Sequence, residues 1–234
     1  MDFPRNRSQA YYEDLYATVQ VIPGKEQLLK ETCDRIDSRY SEYSFAVKGT
    51  AIPWEFPALL HCLEADNNML CQFFDGDNWK DQITVWPNQK IGPWPNWQAA
   101  ARAALHGEVK GFPLFAAMTD WAPYRILCRA EQWNGTGYAS MNKNSPYIWG
   151  LTNHGVGSGK YIVKNGNTIY DPTFETADLG VAPLLKELRR RQALAATLTP
   201  APAKQRLVSV NADTLDAIEK AIAGLVEQFK GVRA

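Results

Sequence analysis

Few side chains in this sequence could do acid, nucleophilic or metal chemistry, and their spacing sorts them. Glu64 stands near the end of the run IPWEFPALLHCLEAD, in which Phe56, Leu59, Leu60 and Leu63 recur at helical spacing. At 100° per residue, Glu64 lies about 90° from the centre of that apolar stripe, on its shoulder. A carboxyl half out of water could keep its proton and donate it to a leaving oxygen. On the helix pattern alone, a solvated helix-end glutamate fits at least as well. Asp75 and Asp77 follow in an Asp-Gly-Asp turn. They could supply a second carboxylate across a cleft, or simply cap the turn. Glu131 precedes Trp133-Asn134-Gly135 and reads as a buried partner of Arg125 or Arg129, or as a cleft carboxylate.

The histidines are three, His61, His106 and His154, and the cysteines four, Cys33, Cys62, Cys71 and Cys128. No CxxC pair occurs, so no metal site is expected. A zinc site from His61, Cys62, Cys71 and His154, or a thiol of Cys62 or Cys71 paired with His154, has no local motif behind it. His61, one turn before Glu64, is expected to orient the carboxylate.

These residues need elements to carry them. Residues 1–20 read as an arm or a short helix. Residues 24–47 look helical, ended by Gly49-Thr50, and residues 52–66 form the helix that bears Glu64. Residues 67–96 are loop-rich, with a short strand expected over 82–86. Asn96 should cap a helix that Gly107 stops. Another helix spans 122–133, stopped by Asn134-Gly135. Residues 134–173 read as loop, and residues 179–195 as a basic-ended helix. Residues 196–207 read as a linker. In 208–234, Leu215, Ile218, Ile222, Leu225 and Phe229 alternate steps of three and four, the spacing of a helix that docks or self-associates.

Composition narrows the classes. The 25 Lys and Arg balance 25 Asp and Glu, so binding nucleic acid through bulk positive charge is not expected. No apolar stretch is long enough for a membrane span, and the first residues lack the apolar core of a secretory signal. Eight Trp are more than a core needs. Trp79, Trp86, Trp94, Trp97, Trp133 and Trp149 are expected to frame a groove in which sugar rings stack.

Two blocks carry a resemblance. PWEFPALLHCLEADNNMLCQFFDGD is the first. RAEQWNGTGYASMNKNSPYIWGLTNHGVGSGKYIVKNGNTIYDP is the second. Together they resemble a family of bacterial and phage lysozyme-like proteins over roughly residues 50–190. The layout is also similar to goose-type lysozymes and soluble lytic transglycosylases. Two neighbourhoods differ: the family's Glu-Ser-Ser is here Glu64-Ala65-Asp66, and its His-Asn-Gly-Asp is Phe74-Asp75-Gly76-Asp77.

The resemblance implies cleavage of the β-1,4 bond between N-acetylmuramic acid and N-acetylglucosamine. Glu64 would be the general acid, with Asp77 and then Asp75 as the second carboxylate. His61, Asn134, Tyr138, Tyr147, Trp149 and Asn153 would contact the glycan strand. No cofactor is expected. The fold expected is α+β, predominantly helical and lysozyme-like with loop-rich inserts. Residues 1–20 would be an N-terminal arm, 21–195 the catalytic domain, 196–207 a linker and 208–234 a terminal helix for self-association or protein docking. Synthesis in the cytoplasm is expected, with action on the wall after release or within a phage particle. The alternatives are a non-catalytic glycan-binding or structural phage protein on the same fold, and a zinc amidase or Cys/His peptidase.

Overall fold

The computed structural model describes residues 3–85, 89–109, 111 and 113–198. Residues 1–192 form one compact unit and 193–234 a second, of which only the end of one helix, 193–198, is described. The terminal helix expected over 208–234, most of the linker over 196–207, and Trp86 lie outside the described residues.

Helices dominate, with two small antiparallel hairpins, so the class is α+β. The chain opens with α1 (Gln9–Thr18), α2 (Glu26–Asp37), α3 (Tyr40–Ala46) and α4 (Glu55–Ala65). The strands β1 (Ile83–Val85) and β2 (Gln89–Ile91) pair next, followed by α5 (Trp97–Leu105) and α6 (Pro123–Asn134). Short helices α7 (Gly137–Ser140) and α8 (Pro146–Trp149) lead to the hairpin of β3 (Lys160–Lys164) and β4 (Asn167–Asp171), and α9 (Val181–Leu198) closes the described chain. No helix among the described residues is long and apolar enough to cross a membrane.

Several boundaries fall where the sequence placed them. The Asn96 side chain accepts from the Ala99 N–H and caps α5. The Asp66 and Asn67 backbones turn left-handed and end α4, returning their N–H groups to the Cys62 and His61 carbonyls.

Other segments differ. The helix expected over 24–47 is two helices, because the Ser38 hydroxyl donates to the Arg35 carbonyl at 2.7 Å and takes over a ladder acceptor. The stretch 134–173, read as loop, holds α7, α8 and the β3–β4 hairpin. Its turn is Asn165-Gly166, both with positive φ (52° and 76°), the requirement of the tight hairpin turn that Asn-Gly favours. The helix α9 runs on to Leu198, past the expected linker start.

Of the two readings of residues 1–20, an arm or a short helix, the helix is the one found. Residues 9–18 are α1, capped by Ser8 and packed along α6. Tyr12 is fully buried. Arg7 donates to Glu131 through Nε (3.0 Å) and Nη2 (2.9 Å), and the Tyr12 hydroxyl adds a third bond at 2.8 Å. The side chains of this pair are 1% and 0% exposed. The ion pair works beside an apolar face of Tyr12, Leu15, Tyr16 and Val19 that packs into the core.

Removing one member strands the other without water. Arg7→Met should destabilise the unit by about 3–5 kcal/mol in urea unfolding. A loss under about 1 kcal/mol would show that the pair does not anchor α1.

Candidate active site

A cleft of about 870 Å³ opens at the end of α4. The end of α4 forms one wall with Leu63, Glu64 and Asp66. The end of α6 and α7 contributes Asn134 and Tyr138, α8 contributes Tyr147, and β3 contributes Lys160 and Tyr161.

Glu64 sits in the last turn of α4, half-buried. The Tyr147 hydroxyl donates to its Oε1 at 2.8 Å, and the Trp133 side chain also hydrogen-bonds to the carboxyl. Burial raises its pKa above the usual glutamate range, and the two bonds only partly offset that. The negative end of the α4 dipole works in the same direction as burial. No cation is among the groups that set this balance. The carboxyl is therefore biased to keep its proton while staying open to the cleft.

The turn after α4 is pressed against it. A Cβ at Gly76 would meet the Glu64 carbonyl oxygen at 2.8 Å, so only glycine (φ 76°) permits this approach. Asp75 and Asp77 are both exposed, and neither lines the cleft. They are not equivalent. Desolvation of the Asp75 carboxyl, with repulsion from Asp77 and Glu64, pushes its pKa up to about 6. Asp75 Oδ1 also accepts from the Asp77 N–H at 3.0 Å, so it caps its turn as well. Asp75 thus feels the charge of Glu64.

Three expected sugar contacts are corrected. His61 is fully buried. Its Nε2 lies 3.0 and 3.1 Å from the Asn68 and Cys71 carbonyls, which assigns the proton to that nitrogen. Its Nδ1 then accepts from the Tyr43 hydroxyl at 2.9 Å. Burial lowers its pKa to about 4, so it stays neutral and fastens the 67–71 loop to α4 instead of orienting Glu64. Trp149 is fully buried in the core. Asn153 accepts from the Gln20 N–H and donates to the Thr18 carbonyl, which staples the chain beyond α1. Asn134, Tyr138 and Tyr147 do line the cleft.

The tryptophan groove is also corrected. None of the described tryptophans lines the cleft. Trp97 and Trp149 are core residues, while the Trp79 and Trp94 indoles donate to the Met69 carbonyl and the Gln72 side chain. The cleft aromatics are tyrosines, and their hydroxyls suit sugar hydroxyl and amide partners. Sequence reasoning missed Tyr161, although it lies in the Gly-Lys-Tyr part of the resemblance. It also missed Arg35, Asp66 and Asp178, which pair as Arg35–Asp66 (2.7 Å) and Lys160–Asp178 (3.4 Å) and leave the cleft without a dominant sign.

Nothing supports the metal or thiol readings. Among the described residues, no group of three or more His, Cys, Asp and Glu is placed to hold a metal. The Cys62 thiol is pushed up to about 11 by burial, the opposite of an activated nucleophile. His154 pairs with the Thr18 hydroxyl at 3.0 Å. Glu131 is the structural partner of Arg7, not of Arg125 or Arg129.

No family profile, curated protein or solved structure matches the chain.

The raised Glu64 pKa has a signed consequence. A carboxyl whose folded pKa exceeds its unfolded value contributes stability below the unfolded pKa and loses it as pH rises through the folded one. Glu64→Gln should therefore melt no lower than wild type at about pH 8, with any advantage gone at about pH 4. Tyr147→Phe removes a bond that favours the carboxylate, so the Glu64 carboxyl should titrate at higher pH when followed by carbon-13 NMR. A downward move would mean that Tyr147 does not govern this group.

Proposed function

We propose that the protein is a peptidoglycan hydrolase that cleaves the β-1,4 bond between N-acetylmuramic acid and N-acetylglucosamine, with Glu64 as general acid. The observation that carries this reading is the Glu64 carboxyl itself. It is desolvated, unpaired with any cation, steadied by Tyr147 and Trp133, and set in the wall of a cleft of about 870 Å³. The resemblance of residues 50–190 to lysozyme-like proteins supports the same assignment.

Glu64, protonated, donates to the glycosidic oxygen as the bond to the anomeric carbon breaks. The charge that develops on the sugar ring then needs a nearby carboxylate or a water. A water adds to the anomeric carbon and gives its proton to the Glu64 carboxylate that the first step left. Asn134 offers an amide to an N-acetyl group, and Tyr138 and Tyr161 offer ring faces and edges to the sugars. A muramidase that reaches the wall after release, or within a phage particle, is consistent with this chemistry.

Turbidity clearing of purified peptidoglycan tests it. Glu64→Gln should lose about 10²–10⁴-fold in rate, the usual worth of a positioned acid. Equal clearing by the variant would remove Glu64 from the mechanism. Wild type that binds the glycan but never clears it would favour a non-catalytic binding protein. A zinc chelator should leave clearing unchanged, and loss of clearing would overturn the metal-free scheme.

A further inference from the structure

A second cavity, of about 260 Å³, lies beside the first half of α6. Arg125 and Arg129, one helical turn apart, line it together with Asp120, Thr119 and Met118. Arg129 is only 6% exposed, and its Cζ lies 3.9 Å from the centroid of the Trp121 ring. Its Nε and Nη1 are closed off from water and have no hydrogen-bond partner. An arginine does not shed its charge, so this is a cation taken out of water without an anion to meet it.

The nearest carboxylate does not answer it. Asp120 lies close enough for its charge to be felt at Arg129, yet its bonds go elsewhere. Its Oδ2 accepts from Tyr124 (2.8 Å) and from Arg125 Nε (3.0 Å), and its Oδ1 accepts from the Ala122 N–H (3.2 Å). Two guanidinium groups thus share the cavity with one carboxylate, which is bonded to Arg125. The cation–π contact with Trp121 stabilises the guanidinium face but satisfies none of its N–H groups. Buried donors left unsatisfied at this cost point to a site kept for a ligand.

We infer that this cavity binds a small oxyanion, a carboxylate or a phosphate on a low-molecular-weight ligand, through Arg129 and Arg125. The volume admits a ligand of several heavy atoms, not a polymer. Ala117 and Met118 supply an apolar side against which its body rests, and Thr119 supplies a hydroxyl. The site is separate from the Glu64 cleft and shares no lining residue with it.

Titration calorimetry and thermal melting of the full chain test the inference, with sodium phosphate and sodium acetate as probes and ionic strength held constant with chloride. Wild type should bind one equivalent saturably and melt at a higher temperature as the probe is added. The probe with the smaller dissociation constant identifies the oxyanion. Arg129→Met should lose the response to both probes and, freed of an unpaired cation, melt no lower than wild type without added anion. Arg125→Gln, which keeps the buried arginine, should weaken binding at least tenfold. Glu64→Gln should bind as wild type does, which separates this site from the catalytic proposal. No saturable binding of either probe by wild type, or the same constants in Arg129→Met, would overturn it.

Discussion

Glu131 lies in the interior with its carboxylate fully out of water, and Arg7 meets it with two nearly parallel hydrogen bonds while Tyr12 supplies a third. That cluster ties α1 to α6 across more than a hundred residues of sequence. Arg7 also donates to the Lys143 carbonyl, so one guanidinium holds α1, α6 and the approach to α8 together. These are the elements that bear Trp133, Asn134 and Tyr147. The wall of the cleft opposite α4 therefore depends on an ion pair that does not line the cleft itself.

Glu64 shows the other outcome for a carboxylate withdrawn from water. Glu131 is given a cation and stays a structural anion. Glu64 is given two neutral donors and the unfavourable end of a helix dipole, and its pKa rises. A desolvated acid with no counter-charge is costly to keep and useful only if its proton is to be given away. The surrounding elements preserve that condition. His61, neutral and buried, pins the loop after α4, and Gly76 lets the Asp75 turn reach the Glu64 backbone.

Much of this was legible from residue patterns. The stripe of Phe56, Leu59, Leu60 and Leu63 placed Glu64 on a helix shoulder, and the structure finds it half-buried there. The caps at Asn96 and at the end of α4 are local chemistry and could be read locally. What failed was non-local. Nothing near Arg7 announces a partner at residue 131, so residues 1–20 read equally as an arm or a short helix. Trp97 and Trp149 resemble sugar platforms by residue type, but each is enclosed by elements distant in sequence. The β3–β4 hairpin was within reach, since Asn165-Gly166 flanked by Ile162, Val163, Thr168 and Ile169 is a strong turn signal that the surrounding Gly and Asn residues obscured. How near Asp75 comes to Glu64 depends on how the turn folds back on α4, which no spacing rule fixes.

The central claim is that a glycosidic bond is broken on the muramic acid side, with the Glu64 carboxyl supplying the proton. Mass spectrometry of fragments released from purified peptidoglycan, after borohydride reduction, reads the broken bond directly. The account predicts fragments that end in reduced N-acetylmuramic acid. Fragments ending in reduced N-acetylglucosamine, or free stem peptides without shortened glycan, would contradict it.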